Sequence, residues 1–160
     1  MTAIVLTGIT STAYAHEGPE LGIEVGPNFV LNDGLDESVG IGVNGRIGYH
    51  LHSGSVFLTP EVKLGFESPG TPNAFRILGG LRMGLLSDTT PVAFAHVGGT
   101  VGDLDGLAWD VGGGLQINFD AVALGATVAY NRVEGQDLIP AVGRRAFEWI
   151  QVAGSVALVL

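Results

Sequence analysis

From Val39 to His52 the chain alternates without a break. Val39, Ile41, Val43, Gly45, Ile47, Tyr49 and Leu51 fall on one face, and Gly40, Gly42, Asn44, Arg46, Gly48, His50 and His52 on the other. Successive side chains of a β-strand point to opposite faces, so this segment has one apolar face and one small, polar or charged face. Two architectures use such a strand with opposite polarity. A soluble sheet buries the apolar face and wets the polar one; a transmembrane barrel turns the apolar face to lipid and keeps a polar lumen. The choice depends on whether the rest of the chain supplies a layer that covers the apolar face.

The rest of the chain repeats the same pattern instead. Strands are expected over 20–32, 55–67, 74–86, 91–103, from Leu107 to Phe119, from Asp120 or Ala121 to Asn131, and over 146–160, which with 39–52 makes eight. Most are clean in phase: Val56, Leu58, Val62, Leu64 and Phe66 oppose Thr59, Glu61, Lys63, Gly65 and Glu67. The fifth is the weakest, since Val92 and Phe94 share a face with His96, Gly98 and Thr100. The chain is 46% hydrophobic and only 14% charged, where a soluble protein carries about a quarter charged residues. No run approaches the roughly 20 apolar residues of a membrane helix, which leaves a closed barrel as the way to span a bilayer. The fold class expected is therefore all-β, an eight-stranded antiparallel up-and-down transmembrane barrel.

The connections also have a sidedness. The first, third and seventh are long and polar, the last running from Arg132 to Arg145; the second, fourth and sixth are tight. Outer-membrane barrels have short periplasmic turns, longer external loops and periplasmic termini. Phe29, Phe66, Phe75, Trp109 and Tyr130 gather towards the outer strand ends and Tyr49 and Phe119 towards the inner ones, as interfacial girdles would. Residues 1–15 read as part of a signal peptide, with an apolar run from Ala3 to Thr10 and Ala13-Tyr14-Ala15 before a cleavage point at His16; residues 16–160 are the barrel domain. Two local conflicts stand out. Pro27 and Pro60 fall inside strands and predict a bulge or a break in the ladder, and Gly45, Gly79, Gly99, Gly113 and Gly154 on the apolar face call for neighbouring aromatics to cover them.

The eight alternating strands, the Ala13-Tyr14-Ala15 segment and the loop sidedness together resemble the small eight-stranded outer-membrane barrels, of which the OmpA transmembrane domain and OmpX are members. The resemblance covers residues 20–160 and implies residence in the bacterial outer membrane with both termini periplasmic. It also implies contact with membrane lipid and lipopolysaccharide, and passage through the barrel-assembly machinery. That group usually ends on an aromatic residue, whereas this chain ends Ala157-Leu158-Val159-Leu160.

Function is sought on the polar face. Glu20, Glu24, Glu61, Glu67 and Asp110 share it with Arg46, Lys63, Arg76 and Arg82, and Gln116 lies on it too. Charges inside a narrow barrel must be paired or hydrated, and eight strands leave an interior that side chains can fill. A lumen largely plugged by a polar network of Glu20, Glu24, Arg46, Glu61, Lys63, Arg76, Arg82, Asp110 and Gln116 is expected, with inward glycines making room for the long side chains. His50, His52 and His96 suggest a metal, but no carboxylate stands at a ligand spacing beside the first two. No metal, cofactor or catalytic residue is assigned. The acids Asp33, Asp36, Glu37, Asp103, Asp105 and Asp137 read as solvated loop residues, although Asp103-Leu104-Asp105-Gly106 resembles the start of a calcium loop. The seventh connection holds the candidate surface contacts Leu138, Ile139, Pro140, Arg144 and Arg145.

A net charge of −9 argues against nucleic acid, whose binding needs basic patches, and the absence of cysteine excludes disulfides and thiolate metal sites. The expected role is non-enzymatic, structural or as a surface platform in the envelope, with the external partner unidentified. The alternatives are a narrow gated porin-like channel, a soluble lipocalin-like ligand-binding barrel and a lipid-modifying outer-membrane enzyme. The last needs a Ser and His near the outer leaflet, whereas Ser53 and Ser55 lie with His50 and His52 at a tight inner turn.

Overall fold

The computed structural model describes residues 17–31, 39–70, 72–87, 89–139 and 144–160. Among these, eight strands run in chain order: β1 (Gly18–Val30), β2 (Val39–Ser53), β3 (Val56–Ser68), β4 (Ala74–Leu85), β5 (Thr89–Gly102), β6 (Gly106–Phe119), β7 (Val122–Ile139) and β8 (Arg144–Val159). Each pairs antiparallel with the next, and β8 returns to β1, so the sheet closes into a barrel. Closure leaves no strand edge along the wall. One end of the barrel carries the short turns Gly54-Ser55 and Asp120-Ala121 and the start of β1 and end of β8; it is called the turn end here, and the opposite one the loop end. Gly54 (φ 64°) and Asp120 (φ 56°) supply the left-handed backbone these turns need.

The alternation maps onto burial almost residue for residue. In β1 buried and exposed positions alternate from Gly18 to Phe29, and in β3 from Val56 to Glu67. The exposed set is apolar, with Ile23, Ile41, Ile47, Phe66, Ile77, Leu115, Val128 and Val156 all facing out. Polar and charged side chains fill the inside, among them Glu24, Arg46, Lys63, Arg76, Arg82 and Asp110. The fifth strand follows the expected phase, with Val92, Phe94 and His96 inward. Phe29, Phe66, Phe75, Tyr49 and Phe119 are exposed near strand ends, and the Trp109 and Tyr130 rings lie 5.4 Å apart.

Both prolines interrupt the ladder without shifting it. Pairing of β1 with β8 stops at Val25↔Gly154 and resumes in the same register at Asn28↔Gln151. That of β2 with β3 stops at Gly48↔Glu61 and resumes at Leu51↔Leu58. A missing N–H removes a ladder bond but adds no residue, so a break forms rather than a bulge.

Two expectations are corrected. The seventh connection is far shorter than Arg132 to Arg145, because β7 continues to Ile139 and β8 begins at Arg144, with Ile139 opposite Arg144 and a register irregularity after Glu134. Leu138 and Ile139 are thus strand residues of β7, and Arg144 and Arg145 of β8. Pro140, the segment 32–38 with its three acids, and the proposed signal segment 1–15 lie outside the described residues. Above the apolar belt the outward face no longer needs to be apolar: Val133 and Phe147 are buried while Arg132, Glu134 and Glu148 are not, so the polarity of the alternation reverses and the strand pattern is lost from the sequence.

The outward glycines lack the expected aromatic cover. A Cβ added at Gly79 meets nothing within 4 Å, and at Gly45, Gly99, Gly113 and Gly154 it meets only backbone. Inward glycines are the opposite case: a Cβ at Gly42 would overlap the Gln151 amide and the Glu67 carboxylate, and one at Gly22 comes 2.7 Å from the Arg46 guanidinium. Gly42→Val should therefore lower unfolding stability by about 1–3 kcal/mol, the usual range for overpacking, whereas Gly79→Val should change it by less than about 0.5 kcal/mol. Urea titration of the two folded variants checks the contrast.

Candidate functional site

The lumen holds a continuous ion-pair network built from alternate residues of β1 to β6. Near the turn end, His50 Nδ1 lies 3.2 Å from Thr59 Oγ1 and 3.3 Å from Glu20 Oε2, with its ring 4.7 Å from that of Phe57. Arg46 comes next, donating from Nη1 to Glu20 Oε1 (3.0 Å) and Glu61 Oε2 (2.7 Å), while its Nε faces Glu24 Oε1 at 3.2 Å. Arg82 joins two of these three acids, donating from Nη2 to Glu24 (2.8 Å) and from Nε to Glu61 (3.3 Å). Lys63 Nζ bridges Glu24 Oε2 (3.3 Å) and Asp110 Oδ2 (3.1 Å). The Phe94 ring lies beside both cations, 4.8 Å from Arg82 Cζ and 5.6 Å from Lys63 Nζ. A cation over a ring face is attracted by the ring quadrupole.

Further towards the loop end, Arg76 donates from Nη2 to Asp110 (3.2 Å) and from Nη1 to Asn131 Oδ1 (2.7 Å). Glu67 ends the network in an amide cage. Asn28 Nδ2 (2.7 Å), Asn44 Nδ2 (2.8 Å) and Gln151 Nε2 (3.3 Å) all donate to its carboxylate, and Arg76 Nη2 stands 3.6 Å away. These partners come from β1, β2, β4 and β8, so the network ties non-adjacent parts of the wall together.

His96 occupies the centre. Its Nδ1 contacts Asp110 Oδ1 and its Nε2 lies 2.8 Å from Glu61 Oε1, so it bridges the Lys63/Arg76 and Arg46/Arg82 halves of the network. The charge count is five carboxylates (Glu20, Glu24, Glu61, Glu67, Asp110) against four fixed cations (Arg46, Lys63, Arg76, Arg82), with His96 between two of the acids.

Of the residues singled out from sequence, Glu20, Glu24, Arg46, Glu61, Lys63, Arg76, Arg82 and Asp110 converge in this network, and all are buried. Gln116 is buried but stands apart. It donates to Asn118 Oδ1 (2.8 Å), and Asn118 donates to Thr90 Oγ1 and to the Ser87 carbonyl, forming a separate polar cluster at the turn end. His52 is not drawn in with His50 and His96; its backbone N–H points to Glu17 Oε1 at 3.4 Å. Among the described residues no group of three His, Asp or Glu side chains is arranged to hold a metal ion.

Sequence reasoning missed the amide cage and, above it, an apolar layer. Ala74, Leu78, Leu104, Ala108, Val133, Phe147 and Trp149 form a fully buried cluster across the loop end of the lumen, with Val30 packed against it. Arg76 Cζ lies 5.3 Å from the Trp149 ring, where ionic core and apolar layer meet. The signal was present in phase: Leu78 and Phe147 share the inward parity of Arg76 and Trp149. Leu104 gave no such signal, because it lies between strands. The acidic loop that resembled a calcium-loop opening is instead organised around that one buried leucine, with the Asp103 carboxylate accepting from the Asn73 N–H at 3.0 Å.

No family model matches the sequence, and none of the curated proteins matches it. Among solved structures the chain is similar to the crystal structure of Neisserial surface protein A (NspA), a small eight-stranded outer-membrane barrel, with a TM-score of 0.57 and 12% sequence identity. The similarity covers 89% of this chain and 97% of that one. With so few identities shared, it is the closed antiparallel wall that the two have in common. This chain has the fold of the small eight-stranded outer-membrane barrels.

Proposed function

We propose that this chain is an integral outer-membrane protein with a largely plugged lumen, acting structurally or as a surface platform in the bacterial envelope rather than as an enzyme. One observation carries the reading: the wall is inverted relative to a soluble protein. Each strand turns large apolar side chains outward, while the buried interior holds five carboxylates and four fixed cations. A soluble lipocalin-like barrel requires the reverse, an apolar interior around its ligand. In lipid the exposed belt loses nothing, and closure satisfies the backbone donors and acceptors that lipid cannot.

The turn end, which carries both ends of the barrel sheet, faces the periplasm in this reading, and the β7–β8 hairpin projects outward. Leu138, Ile139 and Pro140, with Arg144 and Arg145 at the start of β8, are its candidate contacts. Arginines at that level suit lipopolysaccharide phosphates, since guanidinium and phosphate pair through charge-assisted hydrogen bonds. The barrel-assembly machinery is the partner during biogenesis. Protease added to intact cells should cut within 136–145, and cleavage only after the outer membrane is permeabilised would reverse this topology.

A plugged lumen is favoured over a gated porin-like channel by the density of pairing. Glu61 alone meets Arg46, Arg82 and His96. Removing one partner of a buried pair typically costs about 3–5 kcal/mol, so thermal opening of a path through the core is rare. Purified folded protein in a planar bilayer should give no steady conductance at neutral pH. Large, lasting current steps from the pure protein would favour the channel instead.

A further inference from the structure

We propose that the β5–β6 connection is a hinged lid and that Leu104 is the stopper it carries, closing the loop end of the lumen separately from the ionic core. The proposal rests on the reading of the lumen as closed and identifies where that closure can be released.

Leu104 is the only member of the loop-end apolar cluster that does not belong to a strand among the described residues. The other members come from β4, β6, β7 and β8 and form a cup fixed to the wall. Leu104 enters the cup from a connection of three residues, Asp103, Leu104 and Asp105, whose two acids are exposed while the leucine between them is fully buried. Directly beneath the cup, the Arg76 guanidinium lies over the Trp149 ring. Among the described residues, Leu104 and its cup stand between external water and the first charge of the network. An apolar constriction of this kind resists wetting, and so resists ions, without any charged gate.

The connection is short and bracketed by two closely packed glycines at the strand ends, so release concerns only the three residues between them. Gly102 (φ 123°) and Gly106 bracket it, and neither accepts a side chain: a Cβ on Gly102 would stand 2.8 Å from the Asn73 carbonyl oxygen, and one on Gly106 would overlap the Glu134 carbonyl. Among the described residues, one clamp holds it down. The Asp103 N–H donates to the Asn73 carbonyl at 2.9 Å, and the Asn73 N–H donates back to Asp103 Oδ2 at 3.0 Å. Both bonds lie at an exposed residue, where water competes for donor and acceptor alike. Apolar burial of one side chain and one exposed clamp oppose release, whereas the ionic core is held by many coupled pairs. The lid is the weaker of the two closures, and it opens first.

The chain has no cysteine, so single thiols report cleanly. Ala108→Cys places a small thiol within the cup, and Ser155→Cys places a lumen-facing one in the turn half. Each is folded into phosphatidylcholine vesicles and exposed to a charged, water-soluble methanethiosulfonate. Ala108→Cys should react slowly in the parent background. Adding Asp103→Ala, which removes the side-chain half of the clamp and leaves Leu104 in place, should speed it roughly fivefold, the factor expected of a hydrogen bond of ordinary net strength. Adding Leu104→Ala should speed it further, and Ser155→Cys should be unaffected by either change. Retention of the heat-modifiable gel shift shows that each variant is folded, and the Asp103→Ala arm carries the test if Leu104→Ala does not fold. The proposal is overturned if Ala108→Cys is already fast in the parent, if neither change accelerates it, or if Ser155→Cys accelerates equally. Steady bilayer conductance of the parent would instead refute the plugged-lumen reading while leaving the lid comparison readable.

Discussion

An ionised carboxylate enclosed by a barrel wall loses its water, and the loss is tolerable only if cations and hydrogen-bond donors replace it. Five carboxylates stand in that position here, and the interior is organised around meeting their needs. Arg46 reaches three acids and Arg82 two, Lys63 joins Glu24 to Asp110, and Glu67 is served by three neutral amides beside Arg76. Long side chains that cross a lumen need space opposite them. The inward glycines provide it: Gly22 under Arg46, Gly65 against the Asn44 amide, and Gly112 beneath the Phe94 ring that flanks Lys63 and Arg82. Part of the glycine content follows from the long inward side chains, while Gly26, Gly40, Gly98 and Gly114 instead admit a neighbouring strand's backbone.

The network also explains how register is held where the ladder is weakened. Pro27 and Pro60 remove backbone bonds between β1 and β8 and between β2 and β3, yet neither pairing slips. Near the first break Asn28 and Gln151 meet on the same Glu67 carboxylate, and near the second His50 contacts Thr59 across the gap. A one-residue slip would turn every buried charge of the slipped strand towards the outside. Side-chain pairs inside the barrel thus secure an alignment that the backbone alone would leave loose. Along the axis the lumen changes character, from the polar cluster of Thr90, Gln116 and Asn118, through the ionic core, to the apolar cup around Trp149.

Much of this was legible in the sequence because a strand has a period of two and the wall is one layer thick. The unbroken alternation of Val39 to His52 is enough to place Arg46 and His50 inside, and parity alone gathers Glu24, Glu61, Lys63 and Asp110. Parity carries no axial coordinate, however. It put Gln116 with the ion pairs when its neighbours are Asn118 and Thr90, and it did not reveal that Asn28, Asn44 and Gln151 converge on Glu67 from separate strands. Taking inward to mean polar also hides Leu78 and Phe147, and Leu104, between strands, has no parity at all. The outer part of the β7–β8 hairpin looks like a loop in sequence because it lies beyond the belt where outward residues must be apolar.

The account depends on one inversion: apolar side chains meet lipid and the buried face meets only protein. The two tryptophans of the chain stand on opposite sides of the wall, Trp109 outward beside Tyr130 and Trp149 fully buried over Arg76. Single-tryptophan proteins made by Trp149→Phe and Trp109→Phe can be folded into vesicles of lipids brominated along their acyl chains, which quench indole fluorescence on contact. The account predicts strong quenching of Trp109 and little of Trp149. Quenching of Trp149 with Trp109 spared would contradict it, because the face that carries the charges would then be the face that meets the membrane.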